Sequence, residues 1–417
     1  MRLILLLATT VTAFSGEAPP LLPTAPPAPS SPFGPSLGGV LFPHAHFNAS
    51  YGETSSERGH ELGSGHHDPV ADGFTFQGFE FGTSLRAGEY VEGFLNYHGF
   101  LKNESPNDYD GHIEEAFGKL KNLPGGLELR GGRYLNRFGL QNAFHLHGWD
   151  WIDNSLAHGR MLGDDGQFTT GGEIAWRLPF TWASTLSVST GAPRVEEHGH
   201  EEEEGGEGEP RIEGEGALFA KNLTTIDFTN VYQYNDFHQI RAGLAFAWGD
   251  NAWGRTTQVL GLNAQYERRA NGLETGGDYL RVRGEALLRH TRAMTGHLPG
   301  EAHHEEAAEG EAAAEEEEEE FRPASFRDWG LSTSVIYGHD LPRSGVLEFG
   351  LRYEYVTGVA DARLPERHRI SPRLTWFYND ARNAFIRAQY NHDRIDGGTE
   401  SSVWLALGLN WGGPEVR

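Results

Sequence analysis

The sequence has no cysteine, no apolar run long enough for a membrane helix and no recognisable catalytic motif. Without cysteine, the 417-residue chain can form neither a disulfide framework nor a thiolate metal site. A spanning helix needs about 18 consecutive apolar residues, and no segment supplies them. The G-x-S-x-G, P-loop and H-E-x-x-H patterns are also missing. We therefore expect a protein that is not an enzyme, with a barrel hydrolase as the minor alternative.

The N-terminus predicts export. Residues 1–15 fit a secretory signal peptide, with Arg2, a following apolar run and small residues at Ala13 and Ser15. A frayed N-terminus is the alternative interpretation. Residues 16–39 are rich in proline and serine and predict an extended periplasmic linker. Residues 40–417 then form one further unit, because no helical domain or second linker is evident.

The net charge of -25 is concentrated in two low-complexity segments. Residues 196–215 and 301–320 hold 21 of the 59 acidic residues and only one of the 34 basic ones. The remainder is therefore close to neutral. We place both segments in long external loops, 191–215 and 290–326, where such acidic composition is easily solvated.

Apolar and polar residues alternate through most of the chain, which is typical of strands. In one example, Phe349, Leu351 and Tyr353 share a face while Arg352 and Glu354 occupy the other. Transmembrane β-barrels alternate lipid-facing apolar and lumen-facing polar residues in this way. A soluble antiparallel sandwich also alternates, so the pattern by itself leaves both architectures open.

Connection lengths favour the barrel. We count about sixteen strands, and an even number places both ends of the barrel on the periplasmic side. Alternation is weakest in the first, fourth and eighth strands, and the phase is expected to slip through a bulge near Gly131 and Gly132. Connections after even-numbered strands are mostly short, and the long ones follow odd-numbered strands: 52–73, 138–167, 191–215 and 290–326.

Residues 114–179 carry a family resemblance. They contain EEAFGKL, LPGGLELRGGRYLNRFG, the loop HLHGWDWIDNSL and the strand GGEIAWRLP. This stretch resembles outer-membrane porins related to the phosphate-selective porin family, in a variant with loops rich in histidine and glutamate. The resemblance implies a sixteen-stranded barrel, a homotrimer, and a third external loop, here 138–167, folded into the pore as a constriction.

The constriction has candidate residues of both charge signs. Acids on an inserted loop opposite an arginine wall would set a transverse field across the pore. The alternative is that the arginines pair with Glu285, Glu348 and Glu354 on neighbouring strands and only balance the charge of the barrel wall. The candidate acids on the loop are Asp150, Asp153, Asp164 and Asp165, and the candidate bases on lumen faces are Arg241, Arg281, Arg283, Arg352, Arg373 and Arg387.

Histidines cluster beside carboxylates in the loops we place outside the membrane. Imidazole and carboxylate together suit Zn²⁺ and similar divalent ions. We expect weak binding at the pore mouth, with an acidic, solvated loop as the alternative. For the two histidines of the third loop, hydrogen bonding around Trp149 and Trp151 is the alternative. The candidates are His60, His66 and His67 in the first loop, His145 and His147 in the third, His198 and His200 in the fourth, and His303 and His304 in the sixth.

Together these patterns predict an outer-membrane porin of a Gram-negative-type bacterium. It would pass small hydrophilic solutes or ions by diffusion and would contact outer-membrane lipid. No cofactor is required, although zinc bound by the loops is a candidate, and no nucleic-acid partner is expected. The competing interpretation is a surface receptor or metal-scavenging protein anchored by a closed barrel. The sequence leaves the solute and the sign of ion selectivity open.

Overall fold

The computed structural model describes residues 39–413, apart from 56–61, 66, 70–71, 102–108, 165, 194–217, 275, 295–322, 363 and 380–381. The expected signal peptide, nearly all of the linker and the two acidic segments lie outside the described residues. The boundaries predicted for them stay predictions.

Sixteen antiparallel strands form one closed barrel in which each strand pairs with its sequence neighbours and β1 pairs with β16. This confirms the expected transmembrane β-barrel architecture and its strand count. The strands are β1 Gly39–Thr54, β2 Gly73–Ala87, β3 Val91–Leu101, β4 Tyr109–Leu123, β5 Leu127–Leu135, β6 Phe168–Arg177, β7 Ala183–Pro193, β8 Lys221–Asn235, β9 His238–Asp250, β10 Thr256–Arg269, β11 Tyr279–Met294, β12 Pro323–Leu341, β13 Gly345–Val356, β14 Arg367–Phe377, β15 Ala384–Ile395 and β16 Gly398–Gly412.

The barrel is apolar outside and polar inside. On β13, Phe349 and Leu351 are 51% and 54% exposed, whereas Arg352 is 1% and Glu354 0% exposed. A soluble sandwich buries its apolar face, so this distribution excludes that alternative. A closed barrel leaves no unpaired strand edge, which is what a bilayer demands. The apolar outer band is therefore the lipid-facing surface.

One strand irregularity lies elsewhere than the sequence predicted. The pairings of β5 with β4 and with β6 run without a shift through Gly131 and Gly132, so the bulge expected there is wrong. Gly132 instead permits close packing, since a Cβ there would lie 2.3 Å from the carbonyl oxygen of Ala116. Two register shifts in this region lie in β4. One is opposite β5, between Leu120 and Leu123, and the other is opposite β3, where Asn96 pairs with Glu115 and Tyr97 with Ile113, leaving Glu114 as the extra residue.

The connection between β5 and β6, residues 136–167 and hereafter L3, folds into the barrel. It contains α1, Leu156–Leu162, which ends at Gly163 with a φ of 105° that favours glycine. Met161 is fully buried in an apolar cluster that also contains Phe138 of L3 and Leu287 of β11. Within the described residues no helix is long and apolar enough to cross a membrane.

Candidate pore constriction

The tip of L3 meets an arginine wall on β11, β13 and β14 through two aspartates. Asp150 forms ion pairs with Arg281, at 3.1 Å, and with Arg283. The side chain of Arg373 lies 4.0 Å away. A planar guanidinium matches a carboxylate in geometry and charge, which suits it to such buried pairs. Asp150 therefore fixes L3 against the wall.

Asp153 has a denser set of partners. Its carboxylate accepts hydrogen bonds from Arg352 at 2.5 Å and Arg369 at 2.8 Å. Gln389 and Asn391 of β15 also donate to it, each at 2.8 Å. Between the two aspartates, the ring of Trp151 lies under the guanidinium of Arg352 at 4.8 Å. This part of L3 is held by charge, hydrogen bonding and cation–π contact together.

The same arginines also contact acids of the wall. Arg373 pairs with Glu348 at 2.6 Å, and Arg352 lies 3.1 Å from Glu354. Glu285 differs, because it accepts the backbone N–H of Leu140 and pairs with His158, both in L3. The expected loop contacts and the alternative wall contacts are therefore both present.

The charge of Asp153 should persist in acid. Burial raises its pKa, but the charges of Arg352 and Arg369 outweigh burial and lower the pKa to about 2. A lowered pKa in the folded state contributes stability that is complete above the unfolded-state pKa and is lost as pH falls through about 2. We expect the stability advantage of the native protein over Asp153→Asn not to decrease between pH 8 and pH 5. Denaturant titration in detergent measures it, and a difference that shrinks near pH 6 contradicts the assignment.

The other side of L3 meets a carboxylate wall on β2 and β4. His145 lies 2.5 Å from Glu114 and 2.7 Å from Glu115 through its two ring nitrogens. His147 lies 3.0 Å from Glu80 and stacks on the ring of His46, with centroids 3.6 Å apart. L3 thus presents histidines to an acidic wall and aspartates to a basic wall, and it extends across the lumen between them.

The irregularity in β4 creates the acidic wall. In a regular strand, consecutive side chains point to opposite faces, so only one of Glu114 and Glu115 would face the lumen. The extra residue in β4 turns both carboxylates inward, where they are 5% and 1% exposed. Both then reach the single imidazole of His145.

A cavity of about 250 Å³ remains beside L3 on the arginine side. Asp150, Arg281 and Arg283 line it together with Ser332 and Ser334 of β12. Its surface carries charges of both signs and hydroxyl groups, which suits water, ions and small polar solutes.

No protein-family model and no curated protein matches this chain. Solved structures do match it in fold. OprB of Pseudomonas putida aligns with a TM-score of 0.52 at 9% identity, over 90% of this chain and 94% of that one. The outer membrane channel DcaP of Acinetobacter baumannii aligns with a TM-score of 0.51 at 12% identity, over 89% of this chain and 97% of that one. A loop L8 deletion mutant of the outer membrane protein OmpT of Vibrio cholerae aligns with a TM-score of 0.51 at 9% identity, over 90% of this chain and 100% of that one.

The chain has the fold of outer-membrane porins and channels. The closed sixteen-stranded barrel and its apolar outer band place it in the outer membrane of a Gram-negative-type bacterium. The finer resemblance, to the phosphate-selective family, stays a prediction.

Within this porin fold, the predicted constriction residues occupy different positions. Arg241 reaches L3 through the carbonyl oxygen of Gly139, at 3.4 Å. Arg387 donates to Thr375 and is buried. Asp164 is exposed, and its carbonyl oxygen accepts a hydrogen bond from Asn154. Asp165 lies outside the described residues.

Only some of the predicted metal-ligating histidines fall within the described residues. His67, His145 and His147 are described and lie inside the barrel, next to carboxylates or other histidines. The remaining candidates, namely His60, His66, His198, His200, His303 and His304, lie outside the described residues.

Several residues that line the barrel lumen were missed by sequence reasoning. Arg369 contacts Asp153 but was not selected, although it shares the strand phase of Arg373. His98 shares the phase of Asn96 on β3, and Glu80 alternates with two outward phenylalanines on β2. Strand phase would have found these three. Glu114 had no such signal, because its orientation depends on the irregularity in β4.

Proposed function

We propose that this protein is a non-enzymatic channel for the passive diffusion of small hydrophilic solutes or ions, with L3 as its constriction. The observation that carries the proposal is the placement of L3. This loop contacts both walls of the lumen and leaves a polar cavity of about 250 Å³ beside the arginine wall. The porin fold supports the proposal, since one of the matched structures is described as an outer membrane channel.

The experiment is a planar-bilayer recording of the purified full-length protein under a salt gradient. We expect steady conductance in discrete steps. In Arg283→Ala, a positive charge is removed from the cavity while Arg281 still pairs with Asp150. We therefore expect the reversal potential to shift toward cation selectivity.

The matched control is Arg177→Ala. Arg177 is an exposed arginine at the end of β6, 3.5 Å from Glu128 and away from the cavity lining. Its removal should leave the reversal potential unchanged. If the folded protein does not conduct, the channel proposal fails and the anchored receptor is the better explanation.

We further propose that the protein forms a homotrimer. A trimer form of OmpT of Vibrio cholerae aligns with a TM-score of 0.50 at 8% identity, over 90% of this chain and 100% of that one. Zinc attraction by the acidic external loops also remains a proposal, which is supported by their histidine and glutamate composition.

A further inference from the structure

Inside the barrel, on the acidic side of L3, histidines and carboxylates from three parts of the chain converge. His67 belongs to the connection between β1 and β2, His98 to β3 and Glu114 to β4. One ligand atom of each lies within 4.8 Å of the others, and all three side chains are buried. Glu114 also belongs to a second such group, with Glu80 and His145.

His98 is the unusual member of this group. Its side chain is 1% exposed, and neither ring nitrogen has a hydrogen-bond partner in the described structure. A buried imidazole without a partner is costly, because it has lost its hydrogen bonds to water. The ring of His67 lies edge-on at 4.2 Å, which satisfies neither nitrogen of His98. One ring nitrogen of His98 could instead coordinate a metal ion.

The buried carboxylates of this region also favour a bound cation. Glu80 and Glu114 are 2% and 5% exposed, and their ion-pair partners among the described residues are histidines. Asn96 donates to both carboxylates, at 3.0 and 3.3 Å, but supplies no positive charge. Buried carboxylates need a compensating positive charge, which an imidazole supplies only when it is protonated. A divalent ion supplies that charge without protonation of the histidines.

We propose that His67, His98 and Glu114 bind a divalent transition-metal ion inside the barrel, with Zn²⁺ as the best fit. Two histidines and one glutamate form a recognised zinc ligand set that leaves a fourth position for water. Ligand distances of about 2.0–2.2 Å place the donors of a tetrahedral site about 3.4 Å apart, so donors that now lie within 4.8 Å of one another would approach by at most about 1.4 Å. Asn96 would orient Glu114 from outside the ligand set.

The surrounding backbone is shaped to admit His98. A Cβ at position 78 would lie 2.0 Å from its Nε2, so Gly78 leaves the ring its space. The proposed site differs from weak binding at the pore mouth because its ligands are buried and come from separate elements. It also goes beyond diffusion through the channel, since metal binding requires no conductance.

The test is Zn²⁺ titration of the purified, full-length barrel in detergent, in competition with a chromophoric chelator. The native protein should hold one tight equivalent, besides any weak sites in the external loops. His98→Asn and Glu114→Gln should each weaken the tight equivalent by about 100-fold or more, the upper range for losing even an outer-shell partner. Co²⁺ provides a second readout, because tetrahedral coordination gives a visible absorption band that both variants should lose.

The matched control is His158→Asn. His158 is also a buried lumen histidine that pairs with a glutamate, Glu285 at 2.9 Å, but it lies outside the cluster. It should keep the tight equivalent. The proposal is overturned if the native protein has no tight equivalent, or if folded His98→Asn binds as the native protein does. It is also overturned if His145→Asn, and not His98→Asn, removes binding. Folding of each variant is checked by heat-dependent gel mobility, and Glu114→Gln decides the matter if His98→Asn does not fold.

Discussion

Replacing Asp153 by alanine should lower the unfolding free energy by about 3–5 kcal/mol, the range for removing one partner of a buried ion pair. The substitution leaves Arg352 and Arg369 facing an empty carboxylate position and deprives Gln389 and Asn391 of an acceptor. L3 then loses a principal contact with the arginine wall. We expect conductance to rise several-fold and to become noisy, as L3 leaves the lumen intermittently. Denaturant titration and single-channel recording measure the two effects.

Asp164→Ala is the matched control for this experiment. Asp164 is an acid of the same loop, but it is exposed and contributes its carbonyl oxygen to Asn154. Surface substitutions of this kind usually change stability by about 0.5 kcal/mol or less. If Asp153→Ala and Asp164→Ala behave alike, Asp153 does not anchor L3.

The second large effect is expected at Asp328 on β12. Its carboxylate receives two hydrogen bonds from Arg289, at 2.8 and 2.6 Å, and Arg289 is fully buried. Asp328→Ala leaves that guanidinium without its carboxylate partner, so we expect a loss of about 3–5 kcal/mol. Arg289 also donates to the carbonyl oxygen of Arg160, which belongs to α1. The docking of α1 should therefore weaken as well.

A surface pair provides the comparison. Glu366 lies 3.4 Å from His368, and its side chain is 55% exposed. Exposed pairs contribute about 0–1 kcal/mol, so Glu366→Gln should have little effect on the denaturation midpoint. Protease sensitivity of L3 provides a further readout, because only Asp328→Ala should expose the region of α1. Equal stability losses in the two variants would contradict the assigned burial of the Arg289 pair.

The barrel could be predicted from sequence because its signals are local. Alternation along each strand reports which face meets lipid, and the long connections identify the external side. Arg281, Arg352 and Arg373 were assigned to the lumen on that basis, and each lies there. Strand phase is fixed by residues two positions apart, so no tertiary information was needed.

The contacts of the constriction could not be predicted in the same way. Which arginine meets Asp153 depends on how L3 crosses the lumen, and its partners lie on β13 and β14, far along the chain. The acidic wall depends on one extra residue in β4, and sequence reasoning placed the irregularity at Gly131 and Gly132 instead. A pair of glycines suggests a bulge, but here Gly132 allows two backbones to approach closely.

The two-sided attachment of L3 has a consequence for assembly. The partners of His145 and His147 lie on β2 and β4, before L3 in the chain, whereas those of Asp150 and Asp153 lie on β11, β13, β14 and β15, after it. The second set forms only when the late strands have been added to the sheet. Insertion of L3 therefore depends on completion of the barrel, and an incomplete barrel would leave the loop accessible to periplasmic quality-control proteases.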